Sequence, residues 1–286
     1  TNNLISLFGG RQTTVTANYN SSQLTEGAMG VGWSYNFEKT LSVSENGILI
    51  YDTPSVYSRY NPTDKGNEYT CATKGKNGYV ITRSDDGYEL NCNHKKTERY
   101  DLSGRLVSIT DAQGFVTTIG YSNNLITVTD TLSGKHIYLE KDVGKVSRIY
   151  DDDSREVILT YCNGYLSLIK DVNGNYLTYK YNADGRMESG TDGEGTVYFT
   201  NEYDSSGRIV KQYDGVPNET NSENNFTSFL YGDNGSVTVT DRNGNVSTRV
   251  FNDDGQLIRY TDENGNTTAY AYDENLNLVS STDALG

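Results

Sequence analysis

The clearest pattern along this chain is a strict alternation of apolar and polar residues in short stretches. Ser236-Val237-Thr238-Val239-Thr240 and Val246-Ser247-Thr248-Arg249-Val250 are two examples. A period of two places the apolar residues on one face of a β-strand, whereas helical periodicity of useful length is missing throughout the sequence. The pattern therefore predicts an all-β protein whose strands bury one face.

A repeated sequence motif separates these strands: an aromatic residue, then Asp or Asn, then Gly, then an aliphatic residue. Clear copies are Tyr100–Leu106, Tyr203–Ile209 and Phe251–Leu257. A fixed period indicates an array in which each unit buries its apolar face only by stacking on its neighbours. We expect the aromatic anchors to pack inward; they are Tyr100, Tyr121, Tyr161, Tyr181, Tyr203, Tyr231, Phe251 and Tyr272.

Each unit of the array is predicted to be two short strands and two turns. A second signal, Asp-x-x-Gly, follows each anchor by about ten residues, as at Asp241 to Gly244. Asn-Gly and Asp-Gly pairs favour two-residue type I′ hairpins, in which both central residues have positive φ. The predicted turn glycines are Gly104, Gly114, Gly174, Gly185, Gly207, Gly244, Gly255 and Gly265.

Composition supports a tyrosine-rich β-array. Only 34% of residues are hydrophobic, yet 24 residues are tyrosine, and a sheet can bury a tyrosine ring while its hydroxyl finds a partner. The three prolines lie outside the repeat ladder, as strands that donate N–H groups on both sides require. The prediction is an elongated, curved antiparallel sheet of tandem hairpins.

Charge narrows the range of partners. The formal net charge is −14 and the pI about 4.6, which argues against nucleic acid and anionic membranes as partners. No apolar run approaches the roughly 18 residues that a membrane-spanning helix needs, so no membrane span is expected. The chain starts without Met and stops at Gly286 within a repeat, so we expect a piece of a longer protein, one that lacks its targeting signal.

The repeat resembles the YD repeat of Rhs-type proteins, the family of bacterial wall-associated and polymorphic-toxin Rhs proteins, toxin-complex BC components and animal teneurins. The pattern is met closely at residues 100–121, 181–203 and 251–272. It lapses at Tyr121-Ser122-Asn123-Asn124, which lacks the Gly, and near Leu139, which lacks the Tyr. An insertion lies around Pro217 to Asn225, and the resemblance covers about two thirds of the chain.

This resemblance implies a non-catalytic strip of a spiralling β-shell that encloses a C-terminal toxin or displays a cell-contact surface. The implied partner is the remainder of its own longer chain, or a cell-surface glycan or protein, and the implied location is extracellular or cell-surface in bacteria. The repeats look too few to close a shell, so an open sheet is expected. The alternative is a carbohydrate-binding or adhesin module, which would need tyrosines that point outward.

Residues 1–99 are predicted to be a less regular β region that precedes the tandem repeats of residues 100–286. The segment Gly30–Glu38 contains the only tryptophan, Trp33, and looks like the segment before the first repeats of bacterial Rhs proteins. We expect Trp33 to cap the open end of the sheet, as terminal units of repeat arrays must. An exposed, ligand-stacking Trp33 is the alternative.

Few residues of the sequence suggest a catalytic or metal-binding site. The two histidines, His94 and His136, lie in unrelated contexts, and none of the common catalytic or metal motifs occurs, so no catalytic residue, cofactor or metal is predicted. The Asp-rich turns at Asp171, Asp241 and Asp262 alternate oxygen ligands but lack the glycine and bidentate Glu spacing of a calcium loop. Three cysteines are too few for a disulfide scaffold, although Cys71 and Cys92 could pair if their strands are neighbours; Cys162 is the third.

Overall fold

The computed structural model describes residues 1–9, 11–217 and 225–286. Throughout these residues the chain forms β-strands joined by turns, and they include no helix and hence no helix able to cross a membrane. The predicted all-β fold is confirmed. Most of the insertion predicted around Pro217 to Asn225, residues 218–224, lies outside the described residues.

Five strands precede the repeat sheet. They are β1 Asn2–Gly9, β2 Arg11–Tyr19, β3 Glu26–Gly27, β4 Gly30–Val31 and β5 Trp33–Tyr35. β1, β2 and β5 form a three-stranded antiparallel sheet, and β3 and β4 form a separate hairpin.

The repeat sheet follows as 24 antiparallel strands, each paired with its neighbour in sequence. The first fifteen are β6 Thr40–Ser44, β7 Gly47–Tyr51, β8 Tyr57–Pro62, β9 Glu68–Cys71, β10 Tyr79–Ser84, β11 Gly87–Cys92, β12 Lys96–Tyr100, β13 Leu106–Asp111, β14 Val116–Ser122, β15 Leu125–Asp130, β16 His136–Asp142, β17 Lys145–Asp151, β18 Glu156–Cys162, β19 Tyr165–Lys170 and β20 Tyr176–Tyr181. The last nine are β21 Met187–Asp192, β22 Val197–Tyr203, β23 Ile209–Tyr213, β24 Phe226–Tyr231, β25 Ser236–Thr240, β26 Val246–Phe251, β27 Leu257–Thr261, β28 Thr267–Tyr272 and β29 Leu278–Thr282.

The sheet is open. Among the described strands β29 pairs with β28 alone. The start of the sheet curls back on itself, because Thr40 forms an isolated bridge with Arg105 and the Leu41 N–H donates to the Gly104 carbonyl at 2.7 Å. Strands β6 to β12 therefore make one curled turn, after which the sheet continues through β13.

The chain divides into two compact units, Thr1–Thr178 and Tyr179–Gly286. In the first unit the inner face, defined as the face that carries the anchor tyrosines, is covered by the described part of residues 1–39, namely 1–9 and 11–39. Strand β1 packs against β16, β17 and β18, and β4 packs against β19. Fully buried aliphatic residues from both layers form this core, among them Val15, Leu139, Val146, Ile149 and Leu166. Each such side chain contributes roughly 1.5–3 kcal/mol by leaving water.

The second unit has the same ladder but a different inner face. Cross-strand pairs place Phe229 opposite Val239 and Tyr231 opposite Val237, so these four side chains share that face. All four are half-buried, whereas aliphatic residues on the same face of the first unit, such as Ile119, Val128 and Leu159, are buried. Leu230, between Phe229 and Tyr231, lies on the opposite face with 71% of its surface exposed.

Candidate functional surface

The repeat turns are stabilised by the carboxylate of their first Asp, which accepts hydrogen bonds from residues two and four positions later. We call this set of hydrogen bonds the Asp clasp. At Asp241, the Oδ1 atom accepts the backbone N–H groups of Asn243 and Asn245 at 2.8 and 2.9 Å, and Oδ2 accepts the Asn245 side-chain amide at 2.9 Å. The Asn245 amide and backbone hydrogen bonds lower the pKa of this carboxyl below its usual range. The same three contacts recur at three further turns, those of Asp171, Asp262 and Asp273.

These turns are not the two-residue type I′ turns that the Asn-Gly pairs suggested. Gly244 donates its N–H to the Asp241 carbonyl at 3.0 Å, and Asp241 donates to the carbonyl of Asn245 at 3.0 Å. Gly244 has a φ of 83°, whereas Asn243 does not have a positive φ. This is a type I turn followed by one left-handed glycine. The type I′ expectation was wrong for these turns because the Asp clasp selects a longer loop.

Every predicted turn glycine nevertheless adopts the left-handed region. Their φ values run from 77° at Gly255 to 87° at Gly174, a range that includes Gly104, Gly114, Gly185, Gly207, Gly244 and Gly265. Such values are costly for residues that carry a Cβ atom. Two-residue turns with both φ values positive do occur elsewhere, at Val143-Gly144 and Asn163-Gly164.

Some turns replace the final Asn of the clasp with Arg. Asp204 accepts the Arg208 backbone N–H at 2.9 Å and its Nε at 2.8 Å, and the Arg208 guanidinium lies 4.4 Å from the ring centroid of Tyr231. Asp101 and Arg105 repeat the arrangement, with Arg105 lying 4.9 Å from the Tyr121 ring. The Arg clasp therefore ties a turn to the anchor ring of the following hairpin.

Most anchor tyrosines join two neighbouring strands through a hydrogen bond from the hydroxyl to a backbone carbonyl. We call this bond the tyrosine latch. Five of them donate to a backbone carbonyl at the start of the preceding strand: Tyr121 to Leu106, Tyr161 to Val146, Tyr203 to Met187, Tyr231 to Ile209 and Tyr272 to Leu257, at 2.6–3.0 Å. All five rings are half-buried. Burial raises the pKa of Tyr121 to about 12, which keeps its hydroxyl a proton donor at neutral pH.

The other three anchors differ. Tyr100 is 1% exposed and donates to the Glu98 carboxylate at 2.7 Å, while Tyr181 is half-buried on β20. Phe251 is half-buried on β26 and has no hydroxyl to donate. The repeat thus keeps the ring at each anchor but varies its polar contact.

Trp33 lies in β5 within the segment that covers the first unit. It is 3% exposed and its ring centroid lies 5.4 Å from that of Tyr19, which leaves no open face for ligand stacking. The covering segment is joined to the repeat sheet by polar contacts, including Thr13 Oγ1 to Asp130 Oδ2 at 3.0 Å and Arg155 to the Ser6 carbonyl at 2.7 Å. A capping role for Trp33 stays a prediction.

A buried charge cluster inside the curl of β6–β12 was not predicted from the sequence. Lys39 donates to both Asp52 and Glu98, and Lys96 and Tyr100 also donate to Glu98. Burial alone would raise the pKa of Glu98, but Lys39 and Lys96 outweigh it and hold the pKa below its usual value. The signal that could have found it is Lys96-Thr97-Glu98-Arg99-Tyr100, whose alternation puts Glu98 on the same face as Tyr100.

The histidines and cysteines do not come together. His94 lies in the turn between β11 and β12, and His136 starts β16, where Asp152 contacts its ring at 3.0 Å. Cys71 on β9 and Cys92 on β11 both flank β10. Two strand spacings are about 10 Å, too far for a disulfide.

The turn carboxylates of Asp171, Asp241 and Asp262 accept hydrogen bonds from the backbone of their own turns. In the described residues no group of three or more His, Cys, Asp and Glu side chains is placed to hold a metal.

Comparison with known proteins gives one family match. The RHS Repeat model matches residues 100–135 and 251–286, and no curated protein matches the chain. Among solved structures, the chain is similar to the crystal structure of TcdB2-TccC3-Cdc42, with 13% identity over 96% of this chain and 18% of that chain, and a TM-score of 0.35. It is also similar to the Photorhabdus luminescens Tc holotoxin pore, with 13% identity over 82% of this chain and 19% of that one, and a TM-score of 0.34. The chain spans about a fifth of the length of these structures.

Proposed function

We propose that this chain is a non-catalytic wall segment of a secreted bacterial protein whose β-sheet encloses a C-terminal toxin. The match of residues 100–135 and 251–286 to the RHS Repeat model supports this proposal. The observation that carries the proposal is the use of the anchors. Tyr121 in the first matched segment and Tyr272 in the second each donate the hydroxyl to a carbonyl of their own sheet. The hydroxyls of these tyrosines therefore join neighbouring strands of the sheet, which supports a structural role for the anchors.

The inner face supports a role in enclosing another polypeptide. In the second unit Phe229, Tyr231, Val237 and Val239 form a half-buried apolar patch, on the face that the first unit covers with residues 1–39. Apolar surface of this kind is a common contact for other protein segments. The partner in this proposal is the remainder of the same longer chain, and the location is outside the producing cell.

Limited proteolysis of the whole reading frame that contains these 286 residues tests the proposal. We expect a C-terminal domain that survives digestion while the shell is intact and is degraded when expressed alone. A downstream domain that is cleaved equally fast in both forms would refute enclosure, as would a reading frame that ends at Gly286.

A second candidate function rests on tyrosines of the outer face. Tyr138 and Tyr150 stack with ring centroids 4.9 Å apart, Arg148 lies 4.2 Å from the Tyr150 ring, and Asp152 accepts the Tyr138 hydroxyl at 3.0 Å. Stacked rings flanked by charged groups suit a glycan, since an amphipathic ring offers an apolar face beside polar partners. A glycan array with the parent protein and Tyr138→Ala tests this candidate, and no bound glycan would remove it.

A further inference from the structure

The buried charge cluster brings Lys39 into contact with two carboxylates, those of Asp52 and Glu98, which differ in their exposure to solvent. Lys39 directly precedes β6 and Asp52 directly follows β7, and the pairing of Thr40 with Tyr51 places Lys39 opposite Asp52. Lys39 Nζ lies 2.8 Å from Asp52 Oδ1 and 2.9 Å from Glu98 Oε1. The side chains of Lys39 and Glu98 are 15% and 1% exposed.

We propose that Lys39 and Asp52 condense into an intramolecular isopeptide bond that cross-links β6 to β7, with Glu98 as the proton acceptor. This modification requires no cofactor and no oxidant. It requires an amine held against a carboxyl group, a nearby base and restricted access of water. Lys39 and Glu98 are largely buried, and the Asp52 side chain is 30% exposed on one side of the cluster.

The chemical step balances without a co-reactant. Glu98 takes a proton from the Lys39 ammonium, and the freed amine lone pair attacks the Asp52 carboxyl carbon. A C–N bond forms, the C–Oδ1 bond breaks, and Oδ1 leaves as water with the two protons that the ammonium has lost. Glu98 returns to its carboxylate form, and one cation and one anion become a neutral amide.

Neighbouring side chains support each part of this step. Lys76 Nζ donates to Asp52 Oδ2 at 2.8 Å, where it stabilises the negative charge that develops on the oxygen that stays in the amide. Tyr100 and Lys96 donate to Glu98 at 2.7 and 2.6 Å and fix its orientation toward Lys39. These three are positioning or stabilising residues, whereas Glu98 handles the proton.

The geometry selects Lys39 over the other two lysines. Lys76 contacts Asp52 and the Ser58 hydroxyl but no second carboxylate that could take its proton. Lys96 contacts Glu98 alone among carboxylates, and its side chain is 37% exposed. Only Lys39 has both an acceptor carboxyl group and a separate, fully buried base within hydrogen-bond distance.

Burial supplies the driving force and also limits the rate. A buried ion pair retains a large desolvation cost, which a neutral amide avoids, and holding the reactants in contact replaces a bimolecular encounter. Burial by itself would lower the pKa of Lys39, but Glu98 and Asp52 raise it above the usual value. The amine must therefore lose its proton to Glu98 before it can attack, and we expect the bond to accumulate slowly after folding.

Intact mass of the denatured parent protein, measured over time after folding, tests the proposal directly. We expect the mass to fall below the sequence mass by one water, and tryptic mapping to find one branched peptide that joins Lys39 to Asp52. Lys39→Arg should keep the full sequence mass. The matched control Lys65→Arg, in the exposed pair with Glu68, should still lose one water.

Glu98→Gln and Tyr100→Phe test the role of the base. A folded Glu98→Gln protein should retain its water, and Tyr100→Phe, which only removes one bond to Glu98, should accumulate the cross-link more slowly. The full sequence mass in the parent protein after prolonged incubation would overturn the proposal. A cross-link mapped to Lys76 or Lys96 would overturn the assignment, and an unchanged rate in folded Glu98→Gln would overturn the role of Glu98.

Discussion

Removing one anchor hydroxyl tests whether the tyrosine latch stabilises the array. Tyr161 donates to the Val146 carbonyl at 2.6 Å, beside the irregular register where β16 pairs with β17. Tyr161→Phe keeps the ring and removes the hydroxyl that donates this bond. Tyr176→Phe is a matched control, because that ring is 43% exposed on β20 and lies under Lys170.

The expected loss of stability in Tyr161→Phe depends on how far the hydrogen bond is shielded from water. A protein hydrogen bond contributes about 0.5–1.5 kcal/mol net, and a buried carbonyl left without a donor costs about 1–3 kcal/mol. Val146 is fully buried but Tyr161 is half-buried, so water reaches the site only in part. We expect Tyr161→Phe to lower the free energy of unfolding by about 1–2 kcal/mol. Tyr161→Ala should lose about 3–5 kcal/mol, since it also removes a packed ring.

Urea unfolding followed by tryptophan fluorescence is the suitable assay. The single tryptophan, Trp33, is buried in the first unit, so its emission reports on the unit that contains Tyr161. Tyr176→Phe should leave the midpoint unchanged. An unchanged midpoint in Tyr161→Phe at constant m-value would show that the hydroxyl does not stabilise the sheet. A loss below about 1 kcal/mol in Tyr161→Ala would place the ring in solvent.

Three further substitutions probe the turns and the latch. Gly104→Ala should lower the free energy of unfolding in urea melts far more than Gly114→Ala. Both glycines have positive φ, but only the Cβ at Gly104 would clash with a backbone carbonyl oxygen, that of Leu41; equal losses would contradict this. Asp241→Ala should lower the free energy of unfolding at neutral pH, and the difference from the parent protein should disappear in acid. The folded pKa of Asp241 is lowered, so its contribution is complete above the usual carboxyl pKa of about 4 and disappears as pH falls through the lower value. A pH-independent difference between the two proteins would argue against the clasp. Phe251→Tyr should raise the urea midpoint by supplying the hydroxyl that this anchor lacks, and a lowered midpoint would mean that no carbonyl of β25 is within reach.

The lapses in the repeat show how far the sequence pattern determines structure. Tyr121-Ser122-Asn123-Asn124 has no turn glycine, yet the hairpin forms because Asn123 takes a φ of 49°, a region that Asn tolerates better than most residues. The stretch at Leu139 has no anchor tyrosine, and there Leu139 pairs with Ile126 and Ile149 as a fully buried residue. The strands were thus predictable from the alternation, and the turns from glycine spacing except where another residue such as Asn123 takes the positive φ.

Contacts between residues far apart in sequence could not be predicted from the sequence pattern. The Tyr161 hydroxyl bonds a residue 15 positions earlier, and the bond depends on a register that alternation alone does not specify. The charge cluster requires Lys39, Asp52 and Glu98 to meet through the curl of β6–β12, and that curl follows from sheet twist and the Thr40–Arg105 bridge. The covering of the inner face by residues 1–39 has no periodic signal at all.

The two units therefore stabilise the same ladder in different ways. In the first, buried aliphatic residues such as Leu139 and Ile149 supply a core against the covering segment. In the second, residues such as Phe229 and Val239 are half-buried, so a larger share of its stability must come from the strand ladder, the Asp clasps and the tyrosine latches. These contacts are local and do not require a covered inner face. A repeat held in this way can keep its strand order while its apolar face contacts another polypeptide, which is what the proposed enclosing wall would need.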